Sequence, residues 1–145
     1  MSGFDLDGFL PYRLAVAARR VSHAFAAEYR ERFGLDRAEW RVLALLDRRA
    51  PISVRDVAEE ADMEKSRVSR AVARLEASGR IAKRVSAADR RLVELTLTPE
   101  GRALMAELTP LAQDYQRRLD AELGDAAEGL RAALDRLAAR PPADD

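Results

Sequence analysis

Apolar residues recur every three or four positions from about Phe9 to Phe33, through Leu14, Ala18, Val21 and Phe25, and Gly34 follows as a stop. That period predicts a first helix of about seven turns. Asp36 stands three residues before Glu39, the spacing of a capping box, and Trp40, Leu43 and Leu46 then supply an apolar face until Pro51 forbids continuation. Ser53 and Asp56 repeat the cap spacing ahead of Val54, Val57, Ala58 and Ala61, which predicts a third helix of barely two turns. A fourth runs to about Ser78, with Val68, Ala71, Val72 and Leu75 on one side and Gly79 beyond its end. The period then changes to two. Ile81 to Ser86 and Arg91 to Leu97 read as strands joined by a loop over Ala87 to Arg90. Thr98 and Pro99 open a fifth helix, expected to bend at Pro110 and end near Gly124. Asp125 with Glu128 is expected to cap a sixth, stopped by Pro141.

A short helix followed closely by a longer one is the helix-turn-helix unit, in which the second helix lies in the major groove of DNA. At about 100° per residue, Ser66, Arg67, Ser69, Arg70, Ala73 and Arg74 fall on the face opposite Val68, Val72 and Leu75. Arginine can fork onto guanine O6 and N7, serine can meet several base edges or a phosphate, and alanine lets the backbone approach. An ordinary surface helix also exposes arginines. What favours DNA is the order of elements: short helix, basic-faced helix, glycine, strand, charged loop, strand, helix. This is the succession of a winged helix, and it sets a second basic element beside the first. Ser53, Arg55 and Lys65 extend the candidate surface, and the hairpin adds Arg90 at its tip and Arg91 beside it. Asp89 can pair with either arginine and hold the loop.

The chain has 145 residues, 48% of them hydrophobic, enough for one core and one folding unit. Its formal charge is zero, yet residues 64–102 carry a net +5 and residues 120–145 a net −4. The basic middle is the footprint that phosphate binding requires. With no cysteine and a single histidine, the chain can build neither a disulfide, a thiol switch nor the His/Cys cluster of a metal sensor, and nothing calls for a cofactor. No run approaches the ~18 apolar residues of a membrane span, and MSGFDLDGFL lacks the basic start of a secretory signal. The cytoplasm is the expected location. Enzymatic activity is not expected, because no Gly-rich phosphate loop, nucleophile elbow or HExxH motif occurs. A winged-helix module that binds protein without an operator is the alternative, and would be expected to show an acidic or apolar recognition face.

Three strings, AEWRVLALL, SVRDVAEEADMEKSRVSRAVARLEASGRI and DRRLVELTLTPEGRAL, occur in the order and place of the MarR family of bacterial regulators. The chain resembles that family from about Pro11 to Arg140. The resemblance implies that Ser66, Arg67, Ser69, Arg70 and Arg74 lie on the recognition helix and Arg90 on the wing. It also implies an obligate dimer made by the first, fifth and sixth helices, and an aromatic or lipophilic effector. Family wings often read D-x-R-D-x-R. Here Ser86 and Ala88 replace the first Asp and the first Arg, while Asp89 and Arg91 remain. The expectation is a weaker minor-groove contact, carried mostly by Arg90.

The whole is therefore expected to be a mainly α chain with a small antiparallel hairpin. A winged helix-turn-helix lobe covers about 36–98, and helices over about 9–33 and 99–140 form a dimerisation lobe. Leu14, Val21 and Phe25, with Leu119, Leu123, Leu130, Leu134 and Leu137, give those helices apolar stripes that a partner copy would bury. The expected product is a regulator, with repression as the expected direction, that binds double-stranded DNA at a palindromic operator as a homodimer. His23, the lone histidine, and Trp40, the lone tryptophan, are the candidate effector contacts.

Overall fold

The computed structural model describes residues 3–143. Its element order is α1 (Leu10–Phe33), α2 (Arg37–Arg49), β1 (Ile52–Ser53), α3 (Val54–Glu60), α4 (Lys65–Ala77), β2 (Ile81–Val85), β3 (Val93–Leu97), α5 (Pro99–Leu123) and α6 (Ala126–Ala138). The chain groups into two compact units, the first ending at Thr109 and the second beginning at Pro110, inside α5.

In the first unit α2, α3 and α4 pack together on a three-stranded antiparallel sheet of order β1-β3-β2. Its core is the set of faces that the helical period marks. Val42, Leu43 and Leu46 of α2 meet Val57 of α3 and Val68, Ala71, Val72 and Leu75 of α4, all fully buried. Each large aliphatic among them contributes about 1.5–3 kcal/mol by leaving water. Ile81, Leu95 and Leu97 close the sheet side, and Leu104, Met105 and Leu108 of α5 complete it.

Local chemistry sets the boundaries. Gly34 ends α1 in the left-handed region at φ 66°, donating its N–H to the Arg30 carbonyl. Asp36 and Glu39 form the reciprocal capping box of α2: Asp36 Oδ1 accepts the Glu39 N–H at 2.8 Å, and Glu39 Oε1 accepts the Asp36 N–H at 3.3 Å. Ser53 Oγ accepts the Asp56 N–H at the start of α3. Arg41 of α2 donates to the carbonyls of Ala61 and Asp62, at 2.9 and 3.4 Å, and so pins the turn between α3 and α4, where Asp62 adopts a φ of 54°. Thr98 Oγ1 donates to the Gly79 carbonyl at 2.6 Å and accepts the Gly101 N–H at 3.1 Å, joining the exit of α4 to the entry of α5.

Four features depart from the sequence reading. A third strand is present: Ile52 and Ser53 pair with Leu95 and Glu94, so the hairpin is the larger part of a sheet. The two long strands are shorter than expected and the loop between them longer, because Ser86 closes the hairpin through its backbone, N–H to the Leu92 carbonyl at 3.0 Å, and spends its hydroxyl on the turn. Asp125 does not cap α6. It is itself in the helical region, following Gly124 at φ 56°, and the Ala127 N–H bonds to the Gly124 carbonyl instead. Phe25, read as part of a dimer stripe, is buried, with its ring 5.0 Å from Tyr29 and 5.3 Å from Trp40, both edge-on. Those contacts tie α1 to α2.

In the second unit α5 continues through Pro110, which has no N–H to give the Ala106 carbonyl. Arg131 of α6 pairs with Asp120 of α5 and with Glu128 on its own helix. Leu130, Leu134 and Leu137 stay exposed along one stripe of α6, and in the first unit Leu10, Leu14 and Val21 of α1 do likewise.

Candidate nucleic-acid interface

The two faces of α4 separate as helical geometry requires. Val68, Ala71, Val72 and Leu75 are buried, while Lys65, Ser66, Arg67, Ser69, Arg70 and Ala73 are exposed. The N-terminal half of the helix therefore presents four hydroxyl or guanidinium groups and one ammonium to solvent from a backbone fixed on its other side. Such a face can donate to base edges and phosphates alike.

Arg74, two turns along from Arg67, is engaged differently. Its Nη2 donates to Asp36 Oδ2 at 2.5 Å, and its Nε lies 3.4 Å from Glu39 Oε1. The carboxylates that cap α2 thus also hold α4, and Arg74 acts as a tie between the two helices. Ser53 is likewise occupied: it is buried, with its hydroxyl committed to the α3 cap.

On the wing, Asp89 takes Arg91 rather than Arg90 as its partner. Its carboxylate accepts the Arg91 N–H and Nε from one oxygen and Nη2 from the other, at 3.1, 3.1 and 3.2 Å. The guanidinium and backbone N–H of Arg91 hold the Asp89 carboxyl below its ordinary value. The buried Ser86 hydroxyl accepts the Asp89 N–H at 3.2 Å, three residues on, as a serine does when it caps the first turn of a helix. Arg90 is exposed at the tip, and among the described residues it makes no ion pair. Arg55 and Arg91 line a shallow concavity with Lys83 beside the wing. The candidate residues therefore form three groups: the α4 face, the Arg55 and Arg91 concavity, and the Arg90 tip.

The two effector candidates lie in different places. His23 lines a cavity of about 510 Å³ between α1, the start of α2 and α4, together with Arg19, Arg30, Arg37, Arg67 and Arg70. Trp40 instead stacks on Tyr29, centroids 6.0 Å apart, and lines a more apolar groove of about 470 Å³ against Ala44, Leu45 and Ala61. Burial raises the Tyr29 hydroxyl above its ordinary value, so it adds no charge there at neutral pH. Arg19, Arg30 and Arg37 were missed by sequence reasoning. A signal existed, since Arg19, His23, Ala26 and Arg30 are spaced by four, three and four, a single stripe of a helix.

Comparison with known proteins follows the same geometry. A MarR-family profile matches residues 33–92. A MarR family transcriptional regulator from Silicibacter pomeroyi DSS-3 is 34% identical, with a TM-score of 0.78 over 93% of this chain and 99% of that one. BpsR of Bordetella bronchiseptica, whose DNA binding is regulated by 6-hydroxynicotinic acid, is 26% identical with a TM-score of 0.81, covering 97% of this chain and 100% of its own. The transcriptional repressor CouR, bound to a 23-mer DNA duplex, is 29% identical with a TM-score of 0.81, covering 94% and 99%. No curated protein matches the chain.

Proposed function

The chain belongs to the MarR family of transcriptional regulators, and on that premise we propose that it is a repressor that binds a palindromic operator as a homodimer and is released by a small organic effector. The observation that carries this reading is the exposed face of α4, where Ser66, Arg67, Ser69 and Arg70 stand on a helix whose opposite face is buried. A helix held this way can enter the major groove without unfolding anything. The wing adds Arg90 at the position from which a minor groove is reached. CouR, a repressor on DNA, supports the direction of control, and BpsR supports an effector. Acting on chromosomal DNA places the protein in the cytoplasm and makes binding, rather than catalysis, its work.

The exposed leucines support the dimer. Leu130, Leu134 and Leu137 of α6 and Leu10, Leu14 and Val21 of α1 are 40–67% exposed, and a second copy would bury them. Two-fold symmetry then sets the recognition helices about 34–36 Å apart, one turn of DNA. Selection of bound fragments from the source genome tests the whole reading. It should return imperfect palindromes, and centrifugation should find two chains per particle. Recovery of no preferred sequence, with a monomer in solution, would sink it.

A further inference from the structure

The cavity lined by His23 is walled largely by arginine. Arg19 and Arg30 reach it from α1, Arg37 from the first turn of α2, and Arg67 and Arg70 from α4. A sixth arginine of the lining, Arg74, is paired with Asp36 and Glu39, and among the described residues none of the other five is in an ion pair. The single carboxylate in the lining, Asp36, has already given one oxygen to the Glu39 N–H and the other to Arg74. Five guanidiniums therefore share about 510 Å³ with no counter-charge of their own. Like charges gathered on one concave wall repel, and the concavity concentrates their field on whatever enters. Guanidinium forks match carboxylate and phosphate oxygens in pairs. The lining is chemically a receptor for oxyanions, and its charge count exceeds what one carboxylate satisfies.

We propose that this cavity binds a small molecule bearing at least two negative charges, as carboxylates or phosphates, and that its occupation and operator binding exclude each other. The exclusion rests on the functional reading above: Arg67 and Arg70 belong both to the cavity wall and to the exposed face of α4. Oxygens that draw these two side chains back towards α1 remove them from the DNA. Arg19, Arg30 and Arg37 supply the part of the site that DNA does not need. The ligand class differs from the aromatic or lipophilic effector that family resemblance suggests, because charge rather than apolar surface dominates this wall. Coupling of two ligands through shared residues is reciprocal, so operator must weaken anion binding by the factor with which anion weakens operator binding.

The test uses pyrophosphate and citrate as probes at constant ionic strength, against the intact protein and its Arg19→Gln/Arg30→Gln variant. Calorimetry without DNA should show saturable binding of one probe per chain. Saturating probe should lower operator affinity by about tenfold or more, within the usual range for coupled sites. The double variant should lose probe binding and the probe's effect on operator, while its operator affinity without probe stays at the wild-type level. Absence of saturable binding, or an equal effect of probe on wild type and variant, would reduce the effect to bulk screening and overturn the proposal. So would a loss of operator affinity in the variant itself, which would make Arg19 and Arg30 part of the DNA footprint. Failure to find any operator overturns the functional reading instead, and leaves direct probe binding to be judged alone.

Discussion

The Asp36 carboxylate divides its two oxygens between two helices: Oδ1 caps α2 through the Glu39 N–H at 2.8 Å, and Oδ2 receives the Arg74 guanidinium of α4 at 2.5 Å. Asparagine caps as well as aspartate but cannot hold the ion pair. Asp36→Asn should therefore lose under about 1 kcal/mol, the worth of a half-exposed pair. Asp36→Ala loses the cap too, and should fall by roughly a further 0.5–2 kcal/mol. Urea midpoints of the two variants separate the roles; equal losses would mean that the cap contributes nothing.

Arg70 and Arg74 should behave differently on DNA. Arg70 is exposed on the reading face, so Arg70→Ala should cost about 1–3 kcal/mol in operator affinity and relax preference at particular base pairs. Arg74 holds α4 to α2, so Arg74→Ala should weaken all sequences comparably. Binding selections on both variants read the distinction. An Arg70→Ala protein with unchanged affinity and preference would put the wrong face in the groove.

At the wing, Arg90 has no ion-pair partner among the described residues to give up, whereas Arg91 must leave Asp89. Arg90→Ala should reduce the salt dependence of operator binding by about one ion per contact, hence two per dimer, and weaken binding most on A·T-rich flanks. Ala88→Arg should tighten binding and steepen the slope. Unchanged slopes in both variants would take the wing off the DNA.

Acid should reach the wing late. A carboxyl whose folded value lies below its ordinary 3.8 contributes its full stabilisation above that value, and loses it only as pH falls through the lower, folded one. The Asp89 resonance should accordingly titrate below 3.8 in wild type and move up towards it in Arg91→Ala, which removes the guanidinium and keeps the backbone N–H. Identical titrations in the two proteins would remove Arg91 as the cause.

Two glycines in helices should respond in opposite senses to alanine. A Cβ at Gly101 would stand 2.0 Å from the Arg80 carbonyl oxygen, which is backbone and cannot turn aside, so Gly101→Ala should destabilise by roughly 1–3 kcal/mol or more. At Gly129 a Cβ meets nothing within 4 Å, and Gly129→Ala should stabilise α6 by about 0.5–1 kcal/mol. Thermal midpoints moving in the same direction would contradict this.

What could be read in advance follows from the range of the physics involved. The faces of α4 depend only on the angle per residue, so Val68, Ala71, Val72 and Leu75 could be placed from sequence, and the Asp36 to Glu39 box is closed within one turn. The pairing of Ile52 and Ser53 with Leu95 and Glu94 spans some forty residues, and two residues carry no period. Asp125 had the spacing of a cap but not its backbone, since Gly124 turns the chain before it. Phe25 had the period of an exposed stripe, but Trp40 and Tyr29 cover it. The unpaired arginines of the cavity lie on three helices, and only tertiary packing brings residues 19, 30, 37, 67 and 70 to one wall.

The wing divides its positions between those that shape the turn and those that face outward. Ser86, buried, and Asp89, bonded to it and to Arg91, hold the loop, while Ala87, Ala88 and Arg90 carry no part of that bonding and stand exposed. Mutation can therefore explore the outward positions with little penalty in folding, one residue at a time. If the tip meets DNA as proposed, a lineage carrying this loop can drift from one promoter to another by changing it, and need not rebuild the hairpin to do so.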